Sequence, residues 1–233
     1  QRTNDYRHTP KMLDRNVWGR RMKVLELFAG SCSFSNVAKE FGHETFTVDN
    51  GLDLFTADHY LKINAVTDIL DFNIDEIPFS PDIIWASPPC TTFSIASCST
   101  HWTAPDENNL RYPKSENAKM GLLLLEKTIW IINELQPKYY VIENPRGLMR
   151  KMLIMQPLTR HTVTYCQYGD TRMKPTDIWT NAPWTPRTMC KNGMPCHESA
   201  PRGSRTGTQG LKGAYERSKV PYELCKELLE VMV

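Results

Sequence analysis

Long apolar runs are absent from this sequence, in which no stretch approaches the roughly eighteen uninterrupted apolar residues that indicate a membrane-spanning helix. The first residues, QRTNDYRHTPKM, also lack the apolar stretch of a secretory signal peptide. Both absences argue against membrane insertion and against secretion. We therefore expect a soluble protein that works in the cytoplasm and does not bind a membrane.

A disulfide framework is also not indicated. The seven cysteines are an odd number, scattered from Cys32 to Cys225, and they are better interpreted as reduced thiols. Cys190, Cys196 and His197 have the chemistry of zinc ligands, but their spacing is not a paired Cys-x-x-Cys arrangement and a fourth ligand is not evident. We therefore expect no metal.

A large net charge is missing as well, because 26 Asp and Glu nearly balance 28 Lys and Arg. The charges are distributed unevenly, however. Residues 1–23 and residues 184–219 each carry seven basic and two acidic residues, so each segment has a net charge of +5. Basic segments beside an acidic body indicate a polyanionic partner that touches part of the surface. The alternative interpretation is a solvated face.

Short apolar runs and helical patterns alternate along the first 180 residues. The strand-like runs are residues 23–28, 45–48, 82–86, 139–142, 163–165 and 178–179, and the helical patterns are residues 34–41 and 117–135. Strands that are apolar on both faces are typical of a parallel sheet. The alternation predicts an α/β fold with a doubly wound, mostly parallel sheet.

The sequence changes character at residues 181–213, which contain four prolines and five of the twelve glycines. This composition predicts a small irregular lobe without its own core. Helical spacing returns after Pro221, with Leu224, Leu228 and Val231 on one face. We divide the chain into a basic lead-in (1–22), a catalytic and ligand-binding domain (23–180), the lobe (181–213) and a C-terminal segment that returns to the catalytic domain (214–233).

Chemically distinctive residues follow the predicted strands, and in an open α/β sheet the carboxyl ends of the strands bind the ligand. The small residues of segment 28–32 (FAGSC) follow the first strand, where backbone amides at a helix N-terminus can hold an anion. Asp49 ends the second strand, where an acid can accept both hydroxyls of a ribose. A turn or a helix cap is the structural alternative for Asp49.

Two consecutive prolines precede Cys90 in Ser87-Pro88-Pro89-Cys90, and they restrict the backbone so that the thiol projects in one direction. Glu143-Asn144-Pro145 follows another strand and places a carboxylic acid at the same sheet edge. A thiol near an acid suits nucleophilic addition assisted by proton donation. An inert packed cysteine and a helix-capping turn are the structural alternatives.

Taken together, these motifs resemble the DNA cytosine-5 methyltransferase family. LELFAGSCSFS, SPPCTTFS and VIENPRG occur in that family's order, and the resemblance runs from about Lys23 to Val231. It implies a Rossmann-like class I methyltransferase fold, S-adenosyl-L-methionine as cofactor and DNA as partner. The short lobe implies a compact, phage-type monomer with a short target sequence, acting in a bacterial host if it is phage-encoded.

The resemblance also implies site residues. Its nucleophile motif matches Pro89-Cys90, its Glu-Asn motif matches Glu143-Asn144, and its Gln-x-Arg-x-Arg motif is echoed in residues 168–176. The implied catalytic residues are Cys90, Glu143, Asn144 and Lys174, with Arg172 as the alternative to Lys174. The implied cofactor-binding residues are Phe28, Ala29, Gly30, Ser31, Cys32, Asp49, Asn50, Asp68, Ile69, Pro89 and Ser218, with Asp71 as the alternative to Asp68.

In this family a thiolate adds to carbon 6 of cytosine, which makes carbon 5 able to attack a methyl group. The resemblance implies that Cys90 forms this bond, that Glu143 hydrogen-bonds N3 and the exocyclic amine, and that Asn144 orients the loop. The base must be flipped out of a duplex or be single-stranded. Thr91 and Pro145 depart from the family's usual Gln and Val, but neither change removes a catalytic group.

Two alternatives are left open by the sequence. Ser87-Pro88-Pro89 is similar to the Ser/Asp-Pro-Pro-aromatic motif of DNA methyltransferases that act on exocyclic amino groups, although Cys90 occupies the aromatic position. The second alternative is a homologue that binds nucleic acid but has lost turnover through its altered arginine motif. Retention of Cys90 and Glu143 argues against both alternatives.

Overall fold

A computed structural model describes residues 20–52, 62–198 and 214–233, and its centre is a seven-stranded sheet. The strands are β1 (Lys23–Leu27), β2 (Glu44–Asp49), β3 (Ala65–Val66), β4 (Ile83–Ala86), β5 (Tyr139–Pro145), β6 (Arg160–Thr164) and β7 (Pro175–Thr180). Their order in the sheet is β3-β2-β1-β4-β5-β7-β6. β7 runs antiparallel to both of its neighbours, β5 and β6, and the other neighbouring pairs of the described sheet are parallel. The predicted doubly wound, mostly parallel α/β fold is confirmed.

The helices of the described residues are α1 (Ser33–Glu40), α2 (Cys98–His101), α3 (Glu116–Leu135), α4 (Ala214–Ser218) and α5 (Tyr222–Met232). Helix α3 begins where the Ser115 hydroxyl accepts a hydrogen bond from the Ala118 amide at 3.1 Å. It ends at Gln136, which has a left-handed backbone (φ 46°) and precedes Pro137. A side-chain cap and a proline therefore limit the helix, as such residues commonly do.

Side chains that alternate along the strands build a core on each face of the sheet. Ile83 and Trp85 of β4 pack with α1 and α5, and the rings of Trp85 and Phe34 stack with centroids 4.6 Å apart. Ile84 and Ala86 point to the opposite face, where α3 packs. All four residues of β4 are buried, because the strand lies at the centre of a sheet covered on both sides.

The predicted elements agree with the structure to within a few residues, but three short ones escaped prediction. Strand β3 has two residues, α2 has four and α4 has five, which is too short for an apolar period to show. In the described parts of the chain, no helix has the length and apolar character needed to cross a membrane.

The predicted lobe is described over residues 181–198, where it contains neither helix nor strand. It packs on the catalytic domain through Trp184, which is buried in the core that contains α5 and donates from Nε1 to Glu227 at 2.9 Å. Residues 1–19 of the first basic segment and residues 199–213 of the second lie outside the described residues.

Candidate active site

The ends of four strands bring the predicted site residues to one edge of the sheet. Leu27 of β1 pairs with both Val48 of β2 and Ala86 of β4, and Ala86 pairs in turn with Ile142 of β5. The segments that follow these strands therefore leave the sheet at the same level. The strand order reverses between β1 and β4, which is where open α/β sheets bind ligands.

The loop after β1 has alternating left-handed backbone at Phe28 (φ 55°), Gly30 (φ 46°) and Cys32 (φ 54°). Its Gly30 amide donates to Asp49 Oδ2 at 2.9 Å, which joins the loop to the end of β2. A Cβ at Gly30 would be strained by this φ and would lie 3.9 Å from the Ser218 hydroxyl. The structure thus places Gly30, Asp49 and Ser218, three of the predicted cofactor-binding residues, close together.

The other predicted cofactor residues near β2 and β3 differ in how exposed their side chains are and in the hydrogen bonds that these already form. Asp68 follows β3 and is half-buried, with Oδ1 accepting the Leu70 amide at 2.9 Å. Ile69 is buried in the core, so its side chain is committed to packing. Asn50 is exposed and its side chain accepts the Leu52 amide at 3.1 Å, while the alternative Asp71 is also exposed.

The segment that carries Cys90 is fastened to the neighbouring strand. Asn144 donates from Nδ2 to the Pro88 carbonyl at 2.7 Å, and both residues are buried. Pro88 and Pro89 restrict the backbone further, so the half-buried Cys90 thiol is held beside the end of β5. The Asn144 Oδ1 atom is buried without a hydrogen-bond partner among the described residues, which leaves it available to a bound molecule.

Glu143 is buried at the end of β5 and receives a hydrogen bond from Tyr165, whose hydroxyl lies 2.7 Å from Glu143 Oε1. Tyr165 is fully buried and follows β6. Sequence reasoning missed this partner, because Tyr165 belongs to no recognised motif and reaches Glu143 only through the sheet order. It fixes one oxygen of the carboxyl group and leaves the other for a ligand.

Lys174 completes the arrangement around Cys90 and Glu143. Its ammonium lies 4.7 Å from the centroid of the Tyr165 ring and donates to the Arg217 carbonyl at 3.1 Å. Burial lowers the pKa of Lys174, an effect that the nearby Glu143 carboxyl opposes. Burial and Glu143 raise the pKa of the Cys90 thiol, and Lys174 and Arg217 counteract that rise. The acid and the cation therefore act in opposite directions on the pKa of the Cys90 thiol.

Arg172, the alternative to Lys174, is buried and occupied elsewhere. It forms an ion pair with Asp170 and donates to the carbonyls of Arg217 and Lys219 at 3.1 and 3.3 Å. These contacts fasten the segment before α5 to the loop after β6. The geometry therefore favours Lys174 as the cation that faces the reacting groups.

Two other buried thiols have raised pKa values and lie away from Glu143 and Lys174 along the sequence. Burial, with the nearby Glu26, raises the pKa of Cys32 to about 12. Burial raises the pKa of Cys225 well above its usual value. Of these three thiols, Cys90 is the one whose pKa is influenced by both Glu143 and Lys174, an acid and a cation at the candidate site, which is the setting that a nucleophile requires.

Glu26 is a buried acid that sequence reasoning did not single out. It lies in β1 and accepts the Phe34 and Ser35 amides at 3.3 and 2.8 Å, at the start of α1. Burial raises its pKa from 4.5 to about 7 although these hydrogen bonds and Lys39 favour the charged form. Glu26 therefore connects the first strand to the helix that follows the candidate cofactor loop.

Comparisons with known proteins identify the family of this chain. Residues 22–153, more than half of the chain, match the family model described as C-5 cytosine-specific DNA methylase. A protein of Frog virus 3 named probable DNA (cytosine-5)-methyltransferase is 31% identical over 225 residues, which cover 90% of this chain and 100% of that protein.

A solved methyltransferase of Entamoeba histolytica, EhMeth, is similar to 69% of this chain, with 12% identity and a TM-score of 0.49. The chain covers 53% of the length of that structure. The match to the family model and the similarity to the viral protein along nearly its whole length are enough to show the family, so this structure is not needed for the assignment. The chain belongs to the C-5 cytosine-specific DNA methylase family and is a DNA (cytosine-5)-methyltransferase.

Proposed function

We propose that Cys90 is the nucleophile with which this enzyme transfers a methyl group from S-adenosyl-L-methionine to carbon 5 of cytosine in DNA. The observation that carries the assignment is the cluster at the ends of β4 and β5. There the Cys90 segment is held by Asn144, and the Glu143 carboxyl is oriented by Tyr165. The Cys90 thiol is influenced there by both the buried acid Glu143 and the cation Lys174.

The residues after β1 and β2 suit the proposed cofactor. Each Asp49 oxygen accepts one amide, from Gly30 and Gly51, and retains the capacity to accept a ribose hydroxyl. The left-handed loop brings backbone close to the ligand at the start of α1, which suits a carboxylate. The bound cofactor supplies an electrophilic methyl group, and the buried Asn144 Oδ1 is an acceptor at the neighbouring strand end.

The chemistry assigned to the protein's own residues begins with addition of the Cys90 sulfur to carbon 6 of the base. Glu143 hydrogen-bonds N3 and the exocyclic amine, and thereby stabilises the charge that develops on the ring. Carbon 5 then takes the methyl group. Loss of the proton from carbon 5 re-forms the double bond to carbon 6 and expels the Cys90 sulfur. Lys174 supports the first step because its positive charge favours the thiolate.

DNA contacts are assigned to the basic segments and to the lobe, residues 181–213. Lys and Arg in these segments would neutralise phosphates, so binding should weaken steeply with salt. Flipping the target base out of the duplex costs a few kcal/mol. The small lobe leaves room for few base contacts, and we therefore expect a short target sequence and a monomeric enzyme.

The test is incubation of wild-type protein and Cys90→Ser with duplex DNA and methyl-labelled S-adenosylmethionine, followed by mass spectrometry of the nucleosides. We expect 5-methyldeoxycytidine from wild type and none from Cys90→Ser. Cys98→Ser is the matched control, because Cys98 is a half-buried thiol outside the candidate site. It should retain activity.

Either of two results would contradict the assignment. An N-methylated base from both wild type and Cys90→Ser would support amino-group methylation instead. Absence of product from wild type, with DNA binding retained, would support the catalytically impaired homologue. Single-stranded DNA run in parallel shows whether the enzyme needs to open a duplex.

A further inference from the structure

Four side chains with metal-ligand chemistry converge beside the lobe, away from Cys90. They are Cys166, Cys190, Cys196 and His197, and their ligand atoms all lie within 4.8 Å of one another. Cys166 is in the turn that follows β6, and the other three belong to the described part of the lobe. Within the described residues, this is the only group of at least three such side chains that could hold a metal ion.

Three of the four short distances between the ligand atoms are close to those of tetrahedral zinc. Zinc bonds of about 2.3 Å to sulfur and about 2.0 Å to nitrogen imply roughly 3.5–3.8 Å between ligand atoms. The Cys196 sulfur lies 3.8 Å from that of Cys166, 3.1 Å from that of Cys190 and 3.6 Å from His197 Nδ1. The distance from Cys190 to His197 Nδ1 is 3.4 Å. The two closest sulfurs are still well beyond a disulfide bond, which is about 2.05 Å.

Backbone contacts hold the ligands in place independently of their own side chains. The Cys190 amide donates to the Thr164 hydroxyl at 2.8 Å, at the end of β6. The Glu198 amide, next to His197, donates to the Thr171 carbonyl at 2.9 Å. Both ends of the ligand-bearing segment are thus fastened to the loop that carries Cys166. Such support is what a preorganised metal site needs.

We propose that Cys166, Cys190, Cys196 and His197 bind one zinc ion that fastens the lobe to the catalytic domain. Three thiolates and one imidazole form a closed tetrahedral set that favours zinc and leaves no open position for catalysis, so the ion is structural. The proposal replaces the expectation of no metal. The missing fourth ligand is Cys166, which lies 24 residues before Cys190 and is brought there by the fold.

The lobe has a physical need for such an ion. Its described residues form no helix or strand, and most of them are exposed, so it buries little apolar surface. In small loop-rich units a structural zinc supplies folding free energy directly. Cys166 also directly follows Tyr165, whose hydroxyl positions Glu143. The ion would therefore stabilise both the lobe and the turn that supports the proposed acid, a consequence that rests on the proposed function.

The decisive measurement is elemental analysis of the full chain purified without chelators, with protein quantified by amino-acid analysis. We expect one zinc per chain. Cys196→Ser, at an exposed ligand, should weaken zinc binding at least about 100-fold, as should His197→Ala. His197→Cys should keep the ion because it retains four ligands. Cys98→Ser, which alters a thiol outside the cluster, should also keep it.

Cobalt exchange provides a second readout that does not depend on folding yield. Cobalt(II) in the wild-type site should show the intense visible bands of a tetrahedral thiolate complex, and Cys196→Ser should lose them. Substoichiometric zinc with all thiols titratable would overturn the proposal. Stoichiometric iron, or a Cys190–Cys196 disulfide found by peptide mass spectrometry under non-reducing conditions, would also overturn it.

The fastening role is tested separately by limited proteolysis and by ligand binding. Removing zinc with a chelator should speed cleavage within the lobe and lower DNA affinity about tenfold or more, whereas S-adenosylmethionine affinity should change little. Unchanged cleavage and DNA affinity would overturn that role. Zinc content and cobalt spectra do not require methylation activity. Failure of the proposed function could therefore be told apart from failure of the zinc proposal.

Discussion

The sheet edge at Cys90 and the lobe at Cys190 are held in shape by different means. At the sheet edge, Glu143 and Asn144 belong to a buried strand. Glu143 accepts a hydrogen bond from Tyr165, and Asn144 donates one to the Pro88 carbonyl. In the lobe, residues 181–198 lack regular structure, and convergent thiols take the place of a core. The comparison teaches that the strands themselves position the reacting groups, whereas the irregular lobe relies on cross-links to the domain.

The largest expected effect separates the two regions. Cys90→Ser should lower methylation at least about 1,000-fold, because a hydroxyl is a far weaker nucleophile than a thiolate, while zinc content stays at one per chain. Cys196→Ser should lose the zinc and leave S-adenosylmethionine binding near its wild-type value. Nucleoside mass spectrometry, elemental analysis and calorimetry measure the three quantities. Loss of zinc in Cys90→Ser would break the separation.

Glu26 should make the stability of the catalytic domain depend on pH. Its pKa rises from 4.5 in the unfolded chain to about 7 in the folded one, because the carboxyl group is buried. The protonated form therefore favours folding. The contribution is complete below pH 4.5 and is lost as the pH rises through about 7.

Urea unfolding of wild type and Glu26→Gln at about pH 5 and pH 8 tests this dependence. From the size of the shift, the wild-type free energy of unfolding should fall by up to about 3 kcal/mol more than that of Glu26→Gln between the two pH values. An equal fall in both proteins would show that Glu26 does not titrate in this range.

Tyr165→Phe tests whether the proposed acid depends on its buried partner. Removing the hydroxyl leaves Glu143 Oε1 without the 2.7 Å hydrogen bond, and we expect kcat to fall about tenfold with a smaller change in KM. Tyr168→Phe is the matched control, since Tyr168 is a buried tyrosine of the same turn whose hydroxyl accepts the Arg187 amide instead. A similar loss of kcat in both variants would indicate a structural effect of the turn.

A smaller effect is expected from Lys174→Met. The Lys174 charge lowers the pKa of the Cys90 thiol, which burial and Glu143 raise, so removing that charge should raise this pKa further. The alkaline rise of kcat/KM should move to higher pH, with a severalfold loss near pH 7.5 that narrows as the pH increases. Lys226→Met on α5 should leave the profile unchanged. If kcat/KM fell by the same factor at every pH and its alkaline rise did not move, Lys174 would be assigned to substrate binding instead.

Motifs that follow strands could be predicted from the sequence because each lies in one short segment. The Pro-Pro-Cys segment restricts its own backbone, and the apolar run before it identifies a buried strand, so the sequence predicts Cys90 at a sheet edge. Glu143 was placed in the same way. The sequence does not predict the roles of Tyr165 and Cys166. Both follow β6, which the antiparallel strand β7 separates from β5, and neither belongs to a periodic pattern.

Local chemistry along the chain therefore determined the α/β class, the strand ends and the identity of the nucleophile segment, since apolar runs, prolines and glycines act within a few residues. The tertiary structure decided which side chains meet. The sheet order places β7 between β5 and β6, and the turn after β6 thereby brings Tyr165 to Glu143 and Cys166 to the ligands of the lobe. Contacts between segments so far apart depend on how the strands pack, which no spacing along the sequence records.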